Sequence, residues 1–155
     1  MSVPKSVVKF SKDGVTYTSS VDRASYTILE LTRAALRDAG KFLARTARAA
    51  VRQLPGSRQD RFVRYKSTAI IYKVPWVKSG LPHLEIGAKQ DSWYTEEHEL
   101  GTSGQPKRGI LRDTVYDNIA TVIEIESKYL SALEDEAEAL RLIDEQEYTG
   151  EGEDE

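Results

Sequence analysis

Two hydrophobic periods divide this chain. Residues 5–10 (KSVVKF) and 15–19 (VTYTS) are short β-formers flanking Ser-Lys-Asp-Gly. That pattern predicts a hairpin, with Gly14 at the positive φ such a turn requires. From about Arg23 to Leu54 the period changes to that of a helix, with Ser20-Val-Asp22 as N-cap region and Pro55-Gly56 as the stop. At about 100° per residue, Ile28, Leu31, Ala35, Leu36, Ala39, Leu43, Ala47, Ala50 and Leu54 fall on one side. Arg33, Arg37, Lys41, Arg45, Arg48 and Arg52 fall within roughly 120° on the other. Gly40 interrupts this helix and marks either a close contact or a bend.

Downstream, FVRYKSTAIIYKVPW reads as a strand over 62–74, bent or broken near Ser67 and closed by Pro75. After a turn at Lys78-Ser79-Gly80, residues 81–88 (LPHLEIGA) read as its antiparallel partner. Residues 89–109 are polar and read as a long connection, and a loop of that length in a compact domain usually has a function. Leu111, Val115, Ile119, Val122, Ile123, Tyr129, Leu130, Leu133, Ala137, Leu140 and Ile143 then repeat with helical spacing. They predict a helix from about Ile110 to Glu147, about 55 Å long at the usual rise, or two helices divided at Ser131. The expected fold is α+β: a small, mostly antiparallel sheet packed against a long N-terminal and a long C-terminal helix. One domain is expected over 1–147, followed by an acidic disordered tail, 148–155.

Composition narrows the function. The chain has 155 residues, is 39% apolar and 30% charged, and has no run of apolar residues long enough for a membrane span or a secretory leader. It contains no cysteine, which excludes disulfides, thiolate metal sites and a cysteine nucleophile. The net charge of −3 conceals a polarity along the sequence. Residues 33–73 carry eleven basic residues, Arg58, Arg61 and Arg64 among them, against two acids; residues 113–155 carry fifteen acids against two bases. Such halves can pair across a subunit boundary, or one can face a polyanion.

The stretch EEHELGTSGQPKRGILRD, residues 96–113, holds residue types suited to three chemistries. His83, Glu85, Glu97, His98 and Glu99 are the only plausible metal ligands, but no HExxH spacing is present. GTSGQPKRG offers glycines, hydroxyls and cations ahead of a helix, but lacks the P-loop pattern. Ser103 has no nucleophile-elbow context. No enzyme activity, metal or cofactor is therefore expected. The helical basic stripe remains a candidate contact for a phosphate backbone or for an acidic neighbour.

Residues 93–116, WYTEEHELGTSGQPKRGILRDTVY, resemble the neck and tail-completion proteins of long-tailed bacteriophages, the lambdoid head–tail joining (gpZ-like) group. In that family an aromatic residue precedes a short strand ending in Glu-x-Gly-Thr. A polar loop with a proline follows, then a leucine or aromatic and an arginine open the last helix. Tyr94, Glu99, Gly101, Thr102, Ser103, Pro106, Leu111 and Arg112 occupy these places. The likeness extends over roughly 22–130. The chain departs from it at Gly109-Ile110, where the family often has proline and phenylalanine, and in its longer acidic extension.

The resemblance implies a structural virion protein, assembled in the host cytoplasm as a ring, expected to be a hexamer, at the neck or head-proximal tail end. Its partners would be sister copies, head-completion or connector proteins, and tail-tube or tail-terminator proteins. Packaged DNA would pass through the channel, with non-specific contact to the basic stripe, and no membrane would be involved. The eight motif residues would form a docking loop. The stripe Arg33, Arg37, Lys41, Arg45, Arg48 and Arg52 would face either DNA or the acids Asp113, Asp117, Glu124 and Glu126 of a neighbour. A nucleic-acid-binding module using the same stripe is the alternative.

Overall fold

The computed structural model describes residues 5, 7–54, 65–75, 81–92, 94–104 and 106–150. The predicted helix stop at Pro55-Gly56, the basic residues Arg58, Arg61 and Arg64, the turn at residues 78–80, Trp93 and the last five residues lie outside these. The chain is α+β. Its elements are β1 (Val7–Lys12), β2 (Val15–Ser19), α1 (Val21–Gln53), β3 (Ile70–Lys73), β4 (Glu85–Ala88), α2 (Tyr94–Leu100), α3 (Ile110–Asp117), α4 (Ile119–Ser131) and α5 (Glu136–Gly150). Instead of one small sheet there are two separate antiparallel pairs, β1–β2 and β3–β4. The residues cluster into two compact units: Met1–Ala35 with Ser127–Glu155, and Leu36–Glu126.

In the first unit, β1 and β2 form the expected hairpin. Asp13 and Gly14 both have positive φ, +50° and +78°, the mirror-image turn that matches strand twist. The strand register shifts between Val8 and Phe10. The start of α1 is held by the Ala24 amide on the Ser20 carbonyl. Arg23 pairs with Glu136 at the start of α5. These two residues line a cavity of about 320 Å3 with Ser20, Ala24, Thr27, Ile28, Leu133 and Ala139.

The single long C-terminal helix is corrected to three. At Asn118 the backbone leaves helical geometry (φ −115°, ψ 15°), and the side-chain amide donates to the Thr114 carbonyl, competing with the ladder. The second break is a capping event. Ala132–Glu134 tighten into a 3-10 turn, and Asp135 becomes extended (φ −128°). Its carboxylate then accepts from the Ala137 amide at 2.9 Å, with Glu136 and Glu138 in the first turn of α5. Acids at this end oppose the positive pole of the helix. α5 continues to Gly150, so the expected disordered tail begins as helix.

In the second unit the second half of α1 carries the core. Ala44, Ala47, Val51, Tyr65, Ile70 and Ile110 are buried together, with Leu54, Tyr72, Ile86 and Leu111 packed against them. Only β3 of the predicted 62–74 strand is regular within the described residues, because Ser67–Ala69 form a 3-10 turn just before it. β4 pairs with it from Ile70–Ala88 to Lys73–Glu85. Gly40 proves to be a contact position: a β-carbon there would lie 2.8 Å from Leu84 Cδ1 and closer still to the Tyr72 ring. The bare helix backbone is what lets the hairpin approach.

Gly40→Ala is therefore expected to destabilise the protein by about 1–3 kcal/mol despite alanine's better helix propensity, measured by urea unfolding. Asp135→Ala should cost about 1 kcal/mol through loss of the cap, and Asp135→Asn only a fraction of that.

Candidate functional site

The polar connection expected over 89–109 contains a helix. Glu96 and Glu97 sit in the first turn of α2, and Gly101 ends it with φ +80°, its amide donating to the Glu97 carbonyl at 2.9 Å. The short strand that the resemblance implied before Glu99 is thus a two-turn helix. A β-carbon on Gly101 would meet the Lys107 backbone at 2.9 Å, so glycine is required there by conformation and by space. Thr95 and His98 lie on the buried side of α2. The His98 ring stacks on Tyr65, centroids 5.4 Å apart and nearly parallel.

Glu99 occupies the junction. Its carboxylate accepts a 2.6 Å hydrogen bond from the Tyr65 hydroxyl and bonds at 3.1 and 3.2 Å from the Leu111 amide. Leu111 is in the first turn of α3, so one carboxylate ties the segment before β3 to α2 and supplies the anion for the N-terminus of α3. Gly109 starts α3 from a left-handed conformation (φ +60°), and the Arg108 amide donates to the His98 carbonyl at 2.9 Å. Gly101 and Gly109 are the two glycines of this loop with positive φ; Gly104 does not have it.

Burial, followed by the hydrogen bond to Glu99 and its negative charge, pushes the Tyr65 phenol far above its ordinary value. It stays neutral and donates. Thr95, Ser92, Glu96, Glu99, Ala88 and Leu111 help line a cavity of about 330 Å3. The Thr95 hydroxyl is buried and has no hydrogen-bond partner among the described residues.

The eight residues assigned to the docking loop separate by role. Glu99, Gly101 and Leu111 form its pinned base. Tyr94 is half-buried, its hydroxyl donating to Ser92 at 3.3 Å with the Lys66 ammonium 5.9 Å over its ring. Thr102, Ser103 and Pro106 are exposed at the tip. Arg112 is exposed, and its guanidinium holds Asp113 through bonds of 2.7 and 2.9 Å, which raise the arginine's already high pKa.

The metal ligand set does not assemble. His83 pairs with Glu85 at 3.2 Å on the surface, while His98 and Glu99 are engaged with Tyr65. No cluster of three ligand-type side chains occurs among the described residues.

The basic stripe is also divided. Arg33 is buried against Glu30, 2.6 Å away, with both side chains only 3% exposed. Arg48 donates through Nε and Nη2 to the Ile70 carbonyl at 3.1 and 2.9 Å, holding β3. Arg37 and Lys41 are half-buried; Arg45 and Arg52 are exposed, Arg52 reaching Ser67 Oγ at 3.5 Å. On the opposite charge, Asp113 is paired with Arg112, whereas Asp117, Glu124 and Glu126 have no ion-pair partner among the described residues.

No protein-family model matches the chain, and no curated protein or solved structure shows significant similarity to it. No helix among the described residues is long and apolar enough to cross a membrane.

Glu99→Gln is expected to cost about 1–3 kcal/mol, because it removes a charged acceptor from two donors at once, while Tyr65→Phe should cost about 1 kcal/mol. The raised Tyr65 pKa adds a sign. Its stabilising contribution is complete below about pH 10, the ordinary tyrosine value, and is lost as pH rises toward the folded-state value. Unfolding free energy of the wild type should therefore fall more steeply above about pH 10 than that of Tyr65→Phe; equal alkaline slopes would contradict the assignment.

Proposed function

We propose that this protein is a structural component of a long-tailed phage virion, forming a ring at the neck or the head-proximal end of the tail and joining or completing the tail around the DNA channel. The reading starts from the resemblance over residues 93–116. The observation that carries it is the loop after α2. Its base is fixed by Glu99, Gly101 and the Arg108 amide, and its tip exposes Thr102, Ser103 and Pro106. A fixed base with an exposed polar tip suits docking, since little ordering entropy remains to be lost on binding. Unpaired acids on α4 and exposed cations on α1 give one chain both halves of a head-to-tail contact, which closes into a ring when the rotation is right.

The alternative, a nucleic-acid module, has less to draw on than the sequence suggested. Arg33 and Arg48 are committed to Glu30 and Ile70, which leaves a shorter cationic run on α1.

Sedimentation at increasing protein concentration and low salt is expected to show a discrete oligomer, with a central channel by electron microscopy. The double variant Arg45→Glu, Arg52→Glu should assemble only at higher concentration, with a weaker salt dependence. A wild type that stays monomeric throughout and binds random duplex with a steep salt slope would transfer the case to the nucleic-acid module.

A further inference from the structure

α3 and the start of α4 present an apolar surface that the second unit leaves in solvent. Tyr116, Ile119 and Ile123 are 67%, 45% and 55% exposed. Ile119 and Ile123 are one turn apart and share one side of α4, and Tyr116 stands just before the Asn118 break on α3. The acids Asp117, Glu124 and Glu126, which have no ion-pair partner among the described residues, stand close to these side chains in sequence. Large exposed apolar side chains with acids near them have the composition of an interface centre and rim.

We infer that this seam seats a second copy of the same chain, head to tail, against the cationic side of that copy's α1 carrying Arg37, Arg45 and Arg52. The inference rests on the ring reading above and specifies its contact. Charge complementarity selects the occupant. These arginines make no ion pair among the described residues, and the three acids are in the same condition. Charge also selects the symmetry. A two-fold contact of α4 on α4 would bring Asp117, Glu124 and Glu126 toward their own copies, and like charges facing each other at an interface are costly. A head-to-tail contact sets acids against arginines. The methylene stems of the arginines can cover Tyr116, Ile119 and Ile123 while their guanidinium groups reach the acidic rim.

The chain has no cysteine, so single-cysteine variants report the contact cleanly. Ile123→Cys and Arg45→Cys, each at a solvent-exposed position, are mixed and treated with a short bismaleimide. Crosslinking between the two variants is expected, with little in Ile123→Cys alone. The double variant Ile119→Ser, Ile123→Ser should keep the wild-type circular dichroism and melting curve but associate at least about tenfold more weakly by sedimentation. If the wild type forms rings and this variant forms them equally well, the seam is not the contact and the ring reading survives. Efficient self-crosslinking of Ile123→Cys would mean a two-fold contact and would overturn the head-to-tail assignment. A wild type that never associates would remove the ring reading and this inference together.

Discussion

The second unit depends on one carboxylate. Glu99 is reached from three directions in sequence: the Tyr65 hydroxyl, its own helix α2, and the amide of Leu111 in α3. Without it the Leu111 amide, in the first turn of α3, loses its acceptor beside a buried phenol. The charge on Glu99 is offset by the helix end, by two hydrogen bonds and by the residual access of a half-buried side chain. Tyr65 in turn has its other side committed, since its ring is the platform for His98. A hydroxyl, an imidazole and a carboxylate meet here, and their contacts join the segment before β3, α2 and α3.

Much of α1 was legible because a long amphipathic helix averages out local error. Its length, its start and the meaning of Gly40 all follow from periodicity and from the absence of a β-carbon. The details failed where a single residue altered the azimuth of burial. Ala34, Ala44 and Val51 are buried but lie outside the predicted apolar face, and Arg33, assigned to the basic arc, is buried as well. The signal that permits this was Glu30, one turn earlier, which neutralises Arg33 at i, i+3. An inventory of basic residues beginning at Arg33 does not register an acid three positions before it.

The C-terminal half shows the opposite failure. Its periodicity is real, but periodicity does not register a cap. The division at Ser131, which the sequence left as an alternative to one helix, is where α4 ends, and Asp135-Glu136-Ala137-Glu138 just after it is a helix-start pattern that the Asp135 carboxylate caps. α2 was missed for the related reason that seven residues are too few to establish a period. Its boundaries were nevertheless written in the sequence, by acids in the first turn and by Gly101 after the last. The Glu99 bonds to Tyr65 and Leu111 had no such signal, because each joins residues ten or more positions apart and exists only after folding.

These internal bonds also decide what the outside offers. Once Leu111 is fixed on Glu99, Ile110 and Thr114 are turned inward, one turn apart. Arg112, Asp113, Tyr116 and Asp117 are the exposed positions of α3. The Asn118 break passes the chain to α4, on which Ile119, Ile123 and Glu124 are also exposed. Tyr116, Ile119 and Ile123 are thus large apolar side chains that this stretch leaves outside. They are not there for lack of a core, since the same unit buries Ile70 and Val51 completely. On the head-to-tail contact proposed above, these isoleucines and the acids near them would be covered by the cationic side of a sister copy's α1.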